Sequence, residues 1–191
     1  SEPAIVETGV TPVLHYDPLD RLVRTDLPDG TFSRAEFATW EQRSFDQDDT
    51  VPESSWYADR GSPDPAGNEP ANPEKRAAWL SAKHADTPSV EYLDALGRPF
   101  YGVADNGTLG RYATLTVFDV LGNPLSVTDA RGNVVMSYAY NSLSVACRTE
   151  SMDSGERKAL LAVDGQPALG FDSRGHRLRS VYDALRRPVE Q

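Results

Sequence analysis

The sequence lacks several features on which many functions depend. It contains one cysteine, Cys147, in 191 residues, so an internal disulfide is excluded. Its three histidines lie far from one another and from Cys147, which gives no metal-ligand spacing. No apolar run approaches the roughly 20 residues of a bilayer-spanning helix. We therefore expect no cofactor, no bound metal and no membrane insertion.

Basic residues are also scarce. Nineteen Lys and Arg stand against 29 Asp and Glu, giving a formal net charge of −10. Such a chain repels polyanions on average, so we expect no nucleic-acid partner. The only candidate basic patch lies near the end of the chain, at Arg174, Arg177, Arg179, Arg186 and Arg187. Fourteen glycines and 14 prolines indicate many tight turns and argue against a helix bundle.

An internal repeat is the strongest positive feature. Three segments align without gaps: YDPLDRLVRTDLPDG from Tyr16, LDALGRPFYGVADNG from Leu93 and FDVLGNPLSVTDARG from Phe118. A fourth, LAVDGQPALGFDSRG from Leu161, keeps the second half. YNSLS from Tyr140 is a degenerate opening, and YDALRRPVEQ from Tyr182 opens a further copy. The openings at 118, 140, 161 and 182 are spaced by about 21 or 22 residues.

Each repeat predicts two strands and two turns. An aspartate after an aromatic or aliphatic residue accepts hydrogen bonds from the backbone that follows and favours a turn. A glycine in the turn supplies a positive φ. In the copy from Phe118, the strand 124–128, the turn 129–132 and the strand 133–140 follow. Isolated hairpins are marginal in water, so the units must stack into a continuous sheet. Because the last copy stops at Gln191, we expect the chain to be a fragment of something longer.

The pattern breaks between the first two clear copies. We predict a first repeat with a following strand over 1–43, a helical and loop insertion packed on the sheet over 44–90, and tandem repeats over 91–191. Thr50 with Glu53 predicts one helix start. Asn72 and Pro73 predict another, for a helix of about three turns to residue 84 or 85 that buries Ala77, Leu80 and Trp79.

These repeats resemble the YD repeats of the rearrangement-hotspot (RHS) family, and the wording HYDPLDRLVRTDLPDGTFSRAEF is closest to bacterial RHS proteins related to the insecticidal Tc toxin B and C components. Asp20 and Arg186 depart from the pattern at glycine positions. The resemblance rests on a structural repeat motif of fifteen residues: Tyr16, Asp17, Gly30, Asp94, Gly97, Arg98, Gly107, Phe118, Asp119, Gly122, Gly132, Gly165, Gly175, Tyr182 and Asp183.

The resemblance implies a mainly β fold, in which stacked antiparallel hairpins form a curved sheet that is part of a cage, with a short helical insertion. It implies a structural segment of a secreted bacterial toxin shell that encloses a C-terminal toxin and has no catalysis of its own. Expected partners are neighbouring YD repeats of the same or a partner shell protein, and a toxin cargo. Location would be secreted or cell-surface, with export signals outside this chain.

Three alternatives compete with this interpretation. Asp64-Pro65-Ala66-Gly67 resembles the letters of a self-cleaving site of the family, but it lies in a loop without a second carboxylate motif. Asp46, Asp48 and Asp49 form an acidic loop that lacks the ligand spacing of a calcium-binding hand. The recurring aromatics form either cross-strand ladders or a sugar-binding platform, which leaves an extracellular carbohydrate- or host-protein-binding module as the alternative function.

Overall fold

The computed structural model of the chain describes residues 11–190. Residues 1–10 of the predicted first segment, and the terminal Gln191, lie outside that range. Contacts divide the chain into two compact units, Ser1–Tyr112 and Ala113–Gln191. In both, antiparallel strands follow one another in sequence order. The predicted mainly β architecture of antiparallel hairpins with a short helical insertion is therefore confirmed.

The first unit holds six strands and the helical segment. Each strand from β1 to β6 pairs antiparallel with the next. The strands are β1 (Val13–Tyr16), β2 (Leu22–Asp26), β3 (Phe32–Phe37), β4 (Glu41–Phe45), β5 (Ser89–Leu93) and β6 (Pro99–Asp105).

The second unit is a meander followed by a small hairpin. The strands from β7, which starts at the end of the first unit, to β13 pair in sequence order, and β14 pairs with β15. They are β7 (Arg111–Phe118), β8 (Pro124–Thr128), β9 (Val134–Tyr140), β10 (Ala146–Ser151), β11 (Gly155–Leu161), β12 (Pro167–Asp172), β13 (Arg177–Arg179), β14 (Val181–Tyr182) and β15 (Pro188–Glu190).

The helical segment connects β4 to β5 and contains the buried core of the first unit. A 3-10 turn (Val51–Glu53) leads into α1 (Ser55–Asp59), and α2 (Pro73–Ser81) continues into a second 3-10 turn (Ala82–His84). Apolar side chains of these elements pack together, with Trp56 against their side: Val51, Tyr57, Ala78 and Ala82. The remaining buried aromatics of the unit are Phe32, Phe45 and Trp79.

Two details of the helix predictions are correct. The Asn72 side chain accepts hydrogen bonds from the backbone N–H groups of Glu74 and Lys75, and Pro73 opens α2. The helical conformation extends to His84, as predicted. These features are local, because a cap is formed by residues within one turn of the helix.

Two other details are wrong. Thr50 occupies the N-cap position of the 3-10 turn, where a helix start was predicted, but its hydroxyl makes no capping hydrogen bond. Ser54 caps α1, since its hydroxyl accepts a hydrogen bond from the N–H of Tyr57. Thr50 instead donates its hydroxyl to the Phe32 carbonyl in the sheet and is fully buried. In α2 the inward face carries Ala78 and Trp79, whereas Ala77 and Leu80 are exposed. The helix is therefore rotated by about one residue from the predicted orientation.

Candidate functional site: the repeated aspartate turns

Four opening turns share one hydrogen-bond pattern. They begin at Asp17, Asp94, Asp119 and Asp183. The aspartate N–H donates to the carbonyl of the fifth residue, and the fourth residue's N–H donates back to the aspartate carbonyl. The aspartate Oδ1 accepts the N–H groups of the third and fifth residues, at 2.8–3.0 Å. A single carboxylate thus satisfies two backbone donors of each loop.

The fifth residue of each opening turn closes a second ring of contacts. Arg21, Arg98 and Arg187 donate Nε–H to the aspartate Oδ2 at 2.7 Å. Asn123 donates its side-chain N–H to Asp119 Oδ2 at 2.8 Å. Charge-assisted bonds of this kind are stronger than neutral ones. The Asp-to-Arg spacing in the motif therefore has a structural explanation in the turn itself.

Two further opening turns, which begin at Asn141 and Ala162, have the same pair of backbone hydrogen bonds. The expected positive φ is present at the fourth residue of all six turns. It is 74° at Gly97, 92° at Gly122 and 82° at Gly165. Asp20 and Arg186, which depart from the glycine pattern, have the same conformation with φ of 63°. A non-glycine residue there costs on the order of 1–2 kcal/mol, which the shared hydrogen bonds offset.

The closing glycines fall into two groups. The turns 129–133 and 172–176 repeat the opening-turn geometry, with Asp129 and Asp172 as acceptors and φ of 84° at both Gly132 and Gly175. Gly30 has φ of 86° in a turn that begins at Leu27, where the carboxylate of Asp29 accepts the Thr31 N–H.

Gly107 differs from the other closing glycines. It starts a 3-10 turn, Gly107–Leu109, within a loop closed by the hydrogen bond from Asn106 N–H to the Gly110 carbonyl. The closing turn of this copy therefore differs from those at Gly132 and Gly175. The reason is that Asp105 lies only two residues before Gly107, so the carboxylate accepts the Gly107 N–H and binds Arg111 instead.

Hydrogen bonding also shifts the acidity of the turn carboxyls. The Arg98 side chain holds the pKa of Asp94 below its ordinary value, and the backbone N–H of Arg21 does the same for the pKa of Asp17. The pKa values of the other turn aspartates are lowered by their fifth residues: Asp119, Asp129, Asp172 and Asp183. The turns therefore stabilise the ionised form of each of these carboxyl groups.

These shifts predict acid-labile stability. A carboxyl whose folded pKa is depressed contributes stability above its unfolded pKa and loses it as the pH falls through the folded pKa. We expect the chemical-denaturation midpoint to stay nearly level from pH 7 to about 5 and to drop below about pH 4. Asp129→Asn should keep the turn, since the Asn141 side chain accepts the two equivalent N–H groups in its own turn, and should reduce the drop. Asp153→Asn, in a turn outside the motif, is the control; an equal reduction there would contradict the prediction.

Successive repeats of the second unit are linked by hydrogen bonds from tyrosine hydroxyls and by contacts between turn tips. The Tyr140 hydroxyl donates to the Pro124 carbonyl at 2.9 Å, and the Tyr182 hydroxyl donates to the Pro167 carbonyl at 3.0 Å. Neighbouring turn tips also touch. Asn123 donates to the Ser144 hydroxyl at 3.2 Å, and Arg186 pairs with Asp164 at 2.8 Å. The tyrosine of the motif therefore ties one repeat to the strand of the repeat before it.

The other candidate residues have structural partners. Asp64 accepts the N–H of Ala66 with its side chain and the N–H of Gly67 with its carbonyl. Asp46 accepts N–H groups within its own loop, and Asp49 accepts both the N–H and the hydroxyl of Thr87. Over residues 11–190, no group of three or more His, Cys, Asp or Glu side chains could hold a metal ion.

Sequence reasoning missed a set of stacked arginines in the first unit. The guanidinium of Arg24 lies 3.6 Å from the ring centre of Phe32, and those of Arg21 and Arg34 lie 4.3 and 4.5 Å from the ring centres of Phe37 and Phe45. Cation–π contacts of this kind stabilise partly exposed sheets. Only the strand register, which pairs Arg34 with both Arg24 and Phe45, reveals them.

Each unit also has an open groove on its surface. In the second unit the groove has a volume of about 540 Å³, and its lining includes Cys147, Ala159, Phe171 and Leu178. In the first unit a groove of about 390 Å³ is lined by polar residues such as Arg24, Ser44 and Asp49. The groove of the second unit is also lined by His176, whose Nδ1 is hydrogen-bonded to Asp172 Oδ2 at 2.8 Å, while the Cys147 thiol donates to the Ala139 carbonyl at 3.3 Å.

Comparison with known proteins identifies the architecture. The solved structure of a Tc holotoxin pore from Photorhabdus luminescens matches 90% of this chain with a TM-score of 0.70 and 20% identity. The fold is that of a Tc toxin segment. The crystal structures of TcdB2-TccC3, and of TcdB2-TccC3 without its hypervariable C-terminal region, match the same share with TM-scores of 0.68 at 19% and 21% identity.

The Tc-type fold confirms the predicted resemblance at the level of architecture. The chain corresponds to 8% of the length of each of these matching Tc toxin chains. No family model matches the sequence, and no curated protein matches it. Among residues 11–190, no helix is both long enough and apolar enough to cross a membrane.

Proposed function

We propose that this chain is a structural segment of a large secreted bacterial toxin shell, that the shell encloses a C-terminal toxin, and that the segment performs no catalysis. One observation carries the proposal: a single turn geometry recurs along a sheet with the Tc-type fold. A repeated unit that uses its polar side chains to shape its own turns is suited to building an extended wall. Its partners would be neighbouring YD repeats and the enclosed toxin.

The burial pattern supports a wall. In the described part of the second unit no side chain is fully buried, so the sheet is a single layer with two accessible faces. Such a layer separates two compartments when neighbouring repeats continue it. A carboxyl suited to acid–base chemistry would be buried with a raised pKa. The turn carboxyls are only half-buried and their pKa values are lowered, which supports a role without catalysis.

The test is to express the complete natural reading frame around this chain and to image the product by electron microscopy. We expect a hollow particle in which the segment after the last repeat resists protease. The control is the same downstream segment expressed alone, which should be digested rapidly. An open or solid particle, or equal digestion rates for the enclosed and isolated segments, would contradict the shell function.

The binding alternative makes a different prediction in the same material. A carbohydrate-binding surface would lose glycan binding in Tyr138→Ala while keeping its fold. Tyr138 and Tyr140 lie 6.3 Å apart between ring centres, and the Tyr140 hydroxyl is engaged by the Pro124 carbonyl, which supports a role in the sheet. We expect no glycan on an array to bind the chain; specific binding that Tyr138→Ala abolishes would favour the alternative.

A further inference from the structure

The opening turns present large apolar side chains to solvent at one edge of each unit. The third residue is leucine in the four turns that begin with aspartate and in the turn that begins at Asn141, and each leucine is 72–75% exposed: Leu19, Leu96, Leu121, Leu143 and Leu185. In the turn from Ala162 the preceding residue, Val163, is fully exposed. Between β3 and β4 the tip residue is Trp40, also exposed. Scattered exposed leucines are ordinary, but one position repeated in five turns is not scattered.

The turn itself does not require leucine. The closing turns 129–133 and 172–176 have the same hydrogen bonds and the same positive φ, yet their third residues are Arg131 and Arg174. The apolar side chain is therefore specific to one edge and not to the turn type. A meander places alternate turns at the same edge, so in the second unit Leu121, Leu143 and Val163 follow one another along it. Leu185 continues the row, because its turn pairs with the Val163 turn through Arg186 and Asp164.

The spacing of the apolar tips and the charge of the opposite edge indicate which surface can bind this row. Successive tips are two strands apart, roughly 9–10 Å, so only a surface with the same interval can cover all of them. The opposite edge of the second unit presents the charged tips Arg131, Arg174 and Asp153, whose burial against leucine would be unfavourable. One edge of the first unit carries three apolar tips, Leu19, Trp40 and Leu96, so among the described turn tips the surface that matches all four positions of the row is the row itself.

We propose that the leucine row of the second unit (Leu121, Leu143, Val163 and Leu185) is an interaction surface for the same row of a second copy of this chain. The contact is isologous, edge against edge, and it closes at two copies. The hydrophobic surface removed from water drives the association. The proposal is independent of the shell function, since it requires neither a cargo nor a cage.

The interface is small, so association should be weak. A few side chains per copy bury less area than a standard interface. We expect the weight-average mass of the full chain, measured by analytical ultracentrifugation, to rise from monomer towards dimer between about 10 µM and 1 mM. The variant Leu121→Ser/Leu143→Ser/Leu185→Ser should raise the dissociation constant at least about tenfold and keep the wild-type circular dichroism spectrum.

A matched variant distinguishes association through the leucine row from nonspecific hydrophobic association. Met152→Ser/Leu160→Ser/Leu178→Ser removes three apolar side chains that are 51–59% exposed and lie off the row, and it should dimerise like the wild type. A monomeric wild type over the whole range, or a row variant that associates as the wild type does, would overturn the proposal. Growth beyond the dimer would also overturn it, because an isologous contact leaves no free copy of the surface.

Discussion

Replacing Gly30 with alanine should lower the free energy of unfolding of the first unit by about 2–5 kcal/mol, combining a positive-φ cost of about 1–2 kcal/mol with overpacking of about 1–3 kcal/mol. Gly30 has φ of 86°. A Cβ there would collide with the Ser55 hydroxyl and come within 3.3 Å of the Trp56 backbone nitrogen. Both groups belong to the start of α1, so the substitution should push α1 away from the turn between β2 and β3.

Gly132→Ala provides the matched control for this effect. Its φ of 84° is almost the same, and a Cβ at Gly132 would meet nothing within 4 Å. We expect it to lose only the conformational part, about 1–2 kcal/mol, in denaturant titrations followed by circular dichroism. Adding Ser55→Ala to Gly30→Ala should recover part of the difference. Equal losses for the two glycines would show that α1 does not depend on this close approach.

The Gly30 turn is important because it joins the helical segment to the sheet. The Gly30 carbonyl accepts the Ser55 hydroxyl at 3.2 Å. Nearby, Arg34 on β3 binds both carboxylate oxygens of Glu53 at 2.9 Å, and the Thr50 hydroxyl reaches the Phe32 carbonyl. At the other end of the segment, Thr87 binds the Asp49 carboxylate. These contacts connect the segment to the strands that precede and follow it.

Replacing Tyr57 with alanine should have a similarly large effect, about 3–5 kcal/mol, as for other buried aromatics. Tyr57 is 6% exposed and packs with Val51, Ala78 and Ala82. Burial raises the pKa of its phenol, and the hydroxyl donates to the Pro63 carbonyl. Its removal takes away both the centre of the only buried cluster of the helical segment and the anchor of the loop after α1.

Hydrogen exchange should show which elements are destabilised by the Tyr57→Ala substitution. In Tyr57→Ala, the amides of α1 and α2 should lose protection, while those of β8 to β12 should exchange as in the wild type, because the contacts of Tyr57 lie within the first unit. Tyr112→Ala is the control, since Tyr112 is 48% exposed and its hydroxyl only reaches the Leu109 carbonyl. Uniform loss of protection along the chain would contradict this localisation.

The sequence by itself determined the hairpins. The sequence pattern correctly placed the turn that begins at Asp119, the strand over 124–128 and the turn that begins at Asp129. These elements are local, because the aspartate, the positive-φ residue and the hydrogen-bond acceptors of each turn lie within five residues. The same locality let Asn72 and Pro73 mark the start of α2.

The tertiary structure decided everything that depends on distant partners. Thr50 makes no capping hydrogen bond, because its hydroxyl donates to the Phe32 carbonyl instead. The face that α2 buries is set by packing against Val51 and Tyr57 rather than by the weak apolar pattern of the helix itself. The alignment of the exposed leucines depends on the strand order, which places alternate turns at one edge within each unit. A sequence specifies its short-range hydrogen bonds directly, but packing and exposure follow only when strands far apart in the chain are brought side by side.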